Sequence, residues 1–204
     1  MDRDDDLIAY YDAEARGGHR TSVGEYRTEL LDHFARLLAD EDRRRLVDVG
    51  AGPGLDALAW RRRHFAVVGL DLGRANCGRM RDAGVTSVAG SLYAMPFRGG
   101  SFDALWTMST FVHVPHERFD AAIGEMLRLV RPGAPLGIGT WGGHDYEGVP
   151  EVGHLRPYRF FSLAAHDRWR AMLARHGVVE RFEVHDPHTG AGWQYQFAVL
   201  RAPG

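Results

Sequence analysis

Three glycines at alternate positions carry the clearest chemical signal in this sequence. They stand in residues 48–54, which read Asp-Val-Gly-Ala-Gly-Pro-Gly between an apolar run and a helical pattern. Glycine lets a backbone approach a ligand closely, and the amino end of a helix presents unbonded N–H groups to it. The next apolar run leads to Asp71, where a carboxylate can accept hydrogen bonds from both hydroxyls of a ribose. The pattern predicts a nucleotide-binding turn.

The spacing of the glycines separates two classes of nucleotide site. The dinucleotide fingerprint G-x-G-x-x-G needs its third glycine at position 55, and this sequence has Leu55 there, followed by Asp56. An acid at the mouth of the turn repels a pyrophosphate. An NAD-dependent oxidoreductase is therefore a disfavoured alternative.

Alternating strand and helix patterns position this turn. Strands are predicted over residues 46–49, 65–70, 86–89, 102–108 and 136–141, and helices over residues 55–63, 74–83 and 118–129. This alternation predicts a parallel sheet with helices on both faces. A helix over residues 163–175 and strands over residues 178–184 and 193–199 predict an antiparallel edge on that sheet.

Two other segments are predicted to flank the sheet. A helix over residues 5–16 is followed by a hinge at Gly17-Gly18, and a capping-box spacing at Ser22 starts a second helix. That second helix has an apolar stripe that consists of Leu30, Leu31, Phe34, Leu37 and Leu38. Residues 142–160 show no periodicity, and long irregular loops in compact domains are usually functional.

The composition of the chain limits the classes of partner that it could bind. The chain has 204 residues, 45% apolar and 25% charged, and these values predict one domain. The formal charge of −2 gives no overall field that would attract nucleic acid or anionic lipid. All 25 basic residues are Arg, so a mechanism that uses a lysine Schiff base is excluded.

Cysteine content and the amino terminus predict a cytoplasmic, membrane-free protein. The single Cys77 cannot form an internal disulfide and suits a reducing compartment. Residues 1–6 are acidic where a secretory signal needs a basic start, and no apolar run approaches about 18 residues. The bias towards Arg, Ala, Gly and Asp indicates a GC-rich bacterial source.

The histidine pairs and the arginine triplets do not indicate a metal site or an RNA-binding site. The pairs at positions 113 and 116 and at positions 185 and 188 lack further ligands at a recognised spacing, so no metal is expected. The triplet over residues 61–63 ends a predicted helix, where cations favour the dipole, and the triplet over residues 43–45 is ordinary solvated charge.

Further segments extend the pattern beyond the glycines. Residues 88–97 read Val-Ala-Gly-Ser-Leu-Tyr-Ala-Met-Pro-Phe, residues 100–106 read Gly-Ser-Phe-Asp-Ala-Leu-Trp, and residues 125–133 read Glu-Met-Leu-Arg-Leu-Val-Arg-Pro-Gly. With the G-x-G-x-G turn, their order and spacing over about residues 45–141 resemble the class I S-adenosylmethionine-dependent methyltransferases.

The resemblance implies a fold and a division of the chain. The implied fold is α/β, a doubly wound, seven-stranded, mostly parallel Rossmann-like sheet with an antiparallel C-terminal edge strand. Residues 1–204 would form a single methyltransferase domain. Residues 1–40 would be a helical cap, residues 45–141 the cofactor-binding core, and residues 142–204 the substrate loop and closing strands.

The resemblance also implies a cofactor site for S-adenosylmethionine, with S-adenosylhomocysteine as the product. The glycine turn would lie under the amino-acid end, Asp71 would hold the ribose, and Leu72, Ser91 and Leu92 would meet adenine. Tyr11, on the first helix, would lie across the cofactor. The implied cofactor-binding residues are Asp48, Gly50, Ala51, Gly52, Gly54, Asp71, Leu72, Ser91, Leu92, Ser109 and Tyr11.

Methyl transfer is an in-line displacement, so the enzyme must align a nucleophile and accept a proton. His113 follows the fourth strand of the pattern and is the candidate general base, although it can equally be a loop-shaping residue. The candidates for substrate binding are Trp141, His144, Tyr158 and Arg159. The predicted substrate is a small metabolite that is methylated on O, N or C.

Two alternatives remain within this resemblance. One is an RNA or protein methyltransferase, which would need the arginines to form one stripe in space. The other is a cofactor-binding protein without methyl transfer. Its support is Ser91, which stands where many members of the family carry an acid. The acceptor atom and the oligomeric state leave no signature in one sequence.

Overall fold

Helices and strands alternate along the chain in the computed structural model, which describes residues 3–17, 24–149, 159–187 and 192–204. The helices of these segments are α1 (Arg3–Gly17), α2 (Glu25–Asp40), α3 (Leu55–Arg62), α4 (Arg74–Asp82), α5 (Phe119–Leu129) and α6 (His166–Ala174). The strands are β1 (Arg45–Val49), β2 (Ala66–Asp71), β3 (Thr86–Ala89), β4 (Ala104–Met108), β5 (Pro135–Gly142), β6 (Tyr146–Gly148), β7 (Phe161–Leu163), β8 (Val178–His185) and β9 (Gln194–Arg201).

Seven of these strands form one mixed sheet in the order β3-β2-β1-β4-β5-β9-β8. The first five strands of that order pair in parallel, and β9 runs antiparallel to both β5 and β8. The predicted doubly wound, seven-stranded sheet with an antiparallel C-terminal end is confirmed. The antiparallel strand β9 lies one position inside the sheet, and β8 takes the edge.

Helices cover both faces of the sheet, which is why its central strands are buried runs without alternation. On one face, α5 and α6 bury Ile123, Met126 and Leu173. On the other face, Phe34 from α2 and Trp60 from α3 pack against Trp106 of β4, each with ring centroids 5.3 Å apart. These layers leave the carboxyl ends of β1, β2, β4 and β5 together at one edge of the sheet.

The predicted starts of α2, β4 and α6 were wrong. Helix α2 begins at Glu25 with extended Gly24 as its N-cap, and the Gly24 carbonyl closes the first turn by accepting from the Arg27 and Thr28 N–H groups. Ser22, the predicted cap, lies outside the described residues. Strand β4 begins at Ala104, because Phe102 instead makes an isolated parallel bridge to Val130.

The third correction concerns the segment around β7. The predicted helix from Leu163 begins only at His166, because Phe161–Leu163 pairs antiparallel with Tyr146–Gly148. This two-stranded sheet places β6 inside the stretch of residues 142–160 that was predicted to be irregular. The predicted hinge coincides with the end of α1 at Gly17, while Gly18 lies outside the described residues. None of the helices in the described ranges is both long and apolar enough to cross a membrane.

The packing of β5 against β4 is tested by Gly137→Ala. A Cβ atom at Gly137 would lie 2.5 Å from Cε3 of Trp106, so we expect a loss of about 1–3 kcal/mol in the free energy of unfolding. Gly124→Ala is the matched control, because this exposed position within α5 has nothing within 4 Å of an added Cβ. It should stabilise the fold by about 0.5–1 kcal/mol. Urea unfolding followed by circular dichroism measures both, and equal stabilities would contradict the packing described.

Candidate active site

The glycine turn connects β1 to α3 in a backbone conformation that needs glycine. Gly50, Gly52 and Gly54 have φ values of +70°, +56° and +86°, in the left-handed region that side chains disfavour. A Cβ atom on Gly50 would overlap the Thr110 hydroxyl, and one on Gly54 would lie 2.5 Å from Cγ of Met80. The predicted strand–turn–helix arrangement is therefore present, with no room for side chains at two of these positions.

Asp71 lies beside this turn, at the end of β2. Its Oδ2 accepts a hydrogen bond of 2.8 Å from the Gly52 N–H, and its Oδ1 accepts bonds from the Gly73 N–H at 2.8 Å and from Nδ2 of Asn76 at 3.1 Å. Ala51 adds a second link, because its N–H donates to the Leu70 carbonyl at 3.0 Å. The two features that the sequence analysis singled out are thus joined in space.

Helix α1 reaches the same edge of the sheet. Asp12 accepts a hydrogen bond of 3.1 Å from the Ala75 N–H, in the first turn of α4, and Arg79 donates to the Ala15 carbonyl at 2.6 Å. These contacts hold α1 beside Gly73 and Asp71. Helix α1 therefore lies beside Asp71 and the start of α4.

Two buried carboxylates lie below the turn. Asp56, in α3, accepts from Nε and Nη2 of Arg27 at 2.9 and 2.8 Å and from Nε1 of Trp106 at 2.7 Å. Asp48 is 2% exposed, and its Oδ2 has no hydrogen-bond partner within the described parts of the chain. Burial, together with the negative charge of Asp56, raises the pKa of Asp48 well above its ordinary range. A buried acceptor without a partner suits a cationic ligand group.

A second cluster forms around His113, in a short 3-10 turn after β4. Its Nδ1 lies 2.8 Å from the Phe160 carbonyl oxygen, and its Nε2 lies 2.7 Å from the Tyr11 hydroxyl. The guanidinium carbon of Arg159 lies 3.9 Å from the centroid of the Tyr10 ring, and Nη1 of Arg159 donates to the Tyr11 hydroxyl at 3.5 Å. The candidate base His113, the candidate cofactor residue Tyr11 and the candidate substrate residue Arg159 are therefore brought together.

A cavity of about 500 Å³ adjoins this cluster. It is lined by α1, the segment after β4, β6 and the residue before β7, and its wall combines three carboxylates with apolar side chains. The lining residues are Asp6, Pro115, Glu117, Glu147, Gly148, Val149 and Phe160. Phe160 belongs both to this wall and to the hydrogen bond with His113.

The remaining cofactor candidates lie beyond the ends of their strands. Leu72 is half-buried after β2. Beyond β3, the Ser91 hydroxyl accepts from the Tyr93 N–H at 3.3 Å, and Leu92 packs against the core. Ser109 follows β4 with φ +64°, and its hydroxyl lies 3.3 Å from that of Tyr195.

The four candidates for substrate binding do not form one cluster in the described residues. Trp141 packs against Tyr195, with ring centroids 5.1 Å apart, and against the small apolar cluster around Phe161. His144 is exposed, and Tyr158 lies outside the described residues. Arg159 alone among the four has a described contact with the His113 cluster, through Tyr11.

Four residues of these clusters make contacts that were not predicted from the sequence. Arg27 and Asp56 are 29 residues apart, and no spacing rule links them. The Phe160 carbonyl is a backbone group and leaves no residue signal. Asp12, directly after Tyr11, could have been considered, because an acid on the capping helix can accept from the start of another helix. Among the residues that the structure describes, no three His, Cys, Asp or Glu side chains are grouped so that they could hold a metal.

Sequence comparisons identify the core of the chain. Residues 47–138 match the family model described as a methyltransferase domain. An uncharacterized methyltransferase from Mycobacterium sp. (strain JLS) is 34% identical over 134 residues, which are 57% of this chain and 52% of the relative. The chain spans about half the length of the curated Mycobacterium relatives that it matches.

Structural comparisons extend the likeness across nearly the whole chain. The 1,6-didemethyltoxoflavin-N1-methyltransferase from Burkholderia thailandensis, solved with 1,6-didemethyltoxoflavin and S-adenosylhomocysteine bound, aligns with a TM-score of 0.73 at 16% identity, covering 97% of this chain and 88% of that one. The N-methyltransferase NodS from Bradyrhizobium japonicum WM9, in complex with S-adenosylhomocysteine, aligns with a TM-score of 0.72 at 13% identity, covering 98% and 100%. At these identities the likeness concerns the fold. Residues 47–138 thus match a methyltransferase domain, and the chain has the fold of these S-adenosylhomocysteine-bound methyltransferases.

Proposed function

We propose that this protein transfers a methyl group from S-adenosylmethionine to a small-molecule acceptor, and that residues 1–204 act as one methyltransferase domain. The observation that carries the proposal is the bond between Asp71 and the Gly52 N–H at the carboxyl edge of the sheet. It holds a carboxylate and a side-chain-free turn next to each other where ligands of open α/β sheets bind.

The residues at this edge fit the cofactor. Bound S-adenosylmethionine supplies an electrophilic methyl group on a sulfonium. Asp71 would accept from the ribose hydroxyls, and Asp48, whose Oδ2 is unpartnered among the described residues, would attract the cationic amino-acid end. The residues proposed to line the cofactor site are Asp48, Gly50, Ala51, Gly52, Gly54, Asp71, Leu72, Ser91, Leu92, Ser109 and Tyr11.

A small acceptor is supported by the shape of the cap. The cavity beside His113 has a volume of about 500 Å³, within the range of small-molecule sites. Its walls come from α1, from β6 and from the loop after β4, so the acceptor would lie in a half-open cleft between these segments. The similar Burkholderia enzyme is named as an N1-methyltransferase of 1,6-didemethyltoxoflavin, which agrees with this choice.

An RNA acceptor has weaker support, because members of the arginine triplets are engaged within the fold. Arg43 donates to the carbonyls of Asp103 and Gly133, and Nε of Arg63 donates to Asp32 at 3.0 Å. Both triplets lie before or near the amino ends of strands, at the edge opposite the glycine turn. The two triplets therefore do not extend the candidate active site.

The proposal is tested by isothermal titration calorimetry with S-adenosylmethionine and S-adenosylhomocysteine. We expect micromolar binding, weakened in Asp71→Ala by about 1–3 kcal/mol because charged hydrogen bonds are lost. Asp82→Ala, which removes an exposed acid at the end of α4, is the matched control and should bind as the wild type does. Absence of binding to the folded wild-type protein would refute the proposal. Where binding is found, labelled cofactor and a panel of acceptors would identify the substrate.

A second prediction concerns Asp48, whose raised pKa means that its charge destabilises the ligand-free fold. The folded state binds this proton more tightly than the unfolded state, so stability falls as pH rises above the ordinary value of 3.8. Asp48→Asn should therefore raise the melting temperature of the ligand-free protein at pH 8, with a gain that shrinks at lower pH. The same change should weaken cofactor binding about tenfold, since one charged partner is lost.

Thermal unfolding at several pH values, with calorimetry on the same samples, measures both effects of Asp48→Asn. Asp103→Asn is a useful contrast, because backbone N–H groups and Arg131 outweigh burial and lower the pKa of Asp103. That variant should lose stability at pH 8. A destabilised Asp48→Asn protein, or one with unchanged cofactor affinity, would contradict the role proposed for Asp48.

A further inference from the structure

We propose that the Tyr11 hydroxyl takes the proton from the acceptor and passes its own proton to His113, which the Phe160 carbonyl orients. The inference rests on the proposed function, because it needs a methyl acceptor that loses a proton. It reassigns the role first given to His113, which becomes the second member of a chain of hydrogen bonds.

The partners of His113 determine which group donates and which accepts in these hydrogen bonds. A carbonyl oxygen can only accept, so Nδ1, which lies 2.8 Å from the Phe160 oxygen, must carry a proton. In the neutral imidazole, Nε2 is then the acceptor and faces the Tyr11 hydroxyl at 2.7 Å. Tyr11 therefore donates to His113. Ser-His-Asp sites have the same order of hydrogen bonds, from a hydroxyl group to an imidazole and from the imidazole to an acceptor that orients it.

The same contacts make Tyr11 the better candidate to face the acceptor. Both ring nitrogens of His113 are engaged, so His113 would have to break its bond with Tyr11 before it could reach another molecule. Tyr11 also precedes Asp12, which binds the start of α4 beside Asp71. One turn of α1 thus connects the proposed cofactor site with the His113 cluster.

Arg159 supplies positive charge where Tyr11 would need it. Its Nη1 donates to the Tyr11 oxygen at 3.5 Å, and the Tyr10 ring holds the guanidinium at 3.9 Å. A cation at this position stabilises negative charge that develops on the Tyr11 oxygen. Among the residues that the structure describes, the carboxylates of Asp6, Glu117 and Glu147 line the cavity that adjoins this cluster.

The step balances without a further reactant. The acceptor forms a bond to the methyl carbon while the sulfur–methyl bond breaks and leaves its electron pair on sulfur. The acceptor proton moves to Oη of Tyr11, and the Tyr11 proton moves to Nε2 of His113. The imidazolium keeps its Nδ1–H bond to the Phe160 carbonyl and later releases a proton to water. The relay therefore requires a protic acceptor, such as a hydroxyl compound or an amine with an N–H bond.

The hydrogen-bond chain can be tested without any turnover. Long-range ¹H–¹⁵N correlation spectra of the full chain should show His113 as the Nδ1–H tautomer at neutral pH. Tyr11→Phe should shift the Nε2 signal of His113, and Tyr26→Phe, a half-buried tyrosine on α2, should leave it unchanged. An Nε2–H tautomer in the wild type would overturn the relay, whatever the protein methylates.

Turnover supplies the second test, with labelled S-adenosylmethionine and a panel of phenols and primary amines as probes. Tyr11→Phe and His113→Gln should each lower methyl transfer by about a hundredfold or more. Their double variant should be no slower than the slower single variant, because the two residues act as a unit. Tyr26→Phe should transfer at the wild-type rate.

Three outcomes separate failure of the relay from failure of the proposed function. If the wild type binds S-adenosylhomocysteine and transfers methyl, but Tyr11→Phe keeps the full rate, the relay is wrong and the function stands. Efficient methylation of trimethylamine or dimethyl sulfide, which have no proton to lose, would also contradict the relay. If the wild type does not bind S-adenosylhomocysteine, both proposals fail.

Discussion

The candidate cofactor site depends on the hydrogen bonds that the carboxylate of Asp71 accepts. It joins the end of β2 to the glycine turn through the Gly52 N–H and to the start of α4 through the Gly73 N–H. Hydrogen bonds to a buried charged group contribute about 1.5–3 kcal/mol each, more than neutral ones. The parallel register of β1 with β2, in which Val49 pairs with Leu70, places the two loops within reach of one another.

The cap depends on contacts between residues that are far apart in the chain. Tyr11 and His113 are separated by 102 residues, and Tyr11 and Arg159 by 148. Helix α1 meets both partners because Asp12 and Ala15 hold it against α4. The sheet therefore acts as the rigid support, and the proposed chemistry takes place between segments that meet above its carboxyl edge. Because the acceptor-binding segments are separate from the sheet and its glycine turn, their residues can vary while the cofactor site keeps its geometry.

Much of the fold was predictable, because its signals are local. Buried runs such as residues 46–49, glycines that precede a helix, and the alternation around Tyr195 each specify an element within a few residues. Strand β7 was missed because three residues are too few for a period to be visible, and its pairing partner lies in an irregular loop. The start of α2 was misplaced because Gly24 caps the helix with its backbone and not with a side chain.

The candidate site was only half predictable, for a similar reason. Asp71 and the glycine turn follow from one strand–turn–helix unit, but the bonds of Asp56 to Arg27 and of His113 to the Phe160 carbonyl are tertiary contacts without a motif. The direct measurement of the central claim is a crystal structure of the protein with S-adenosylhomocysteine. We expect the ligand along the glycine turn, with its ribose hydroxyls bonded to the Asp71 carboxylate and its amino-acid end towards Asp48. A ligand bound elsewhere, or a glycine turn that contacts only protein, would contradict the account.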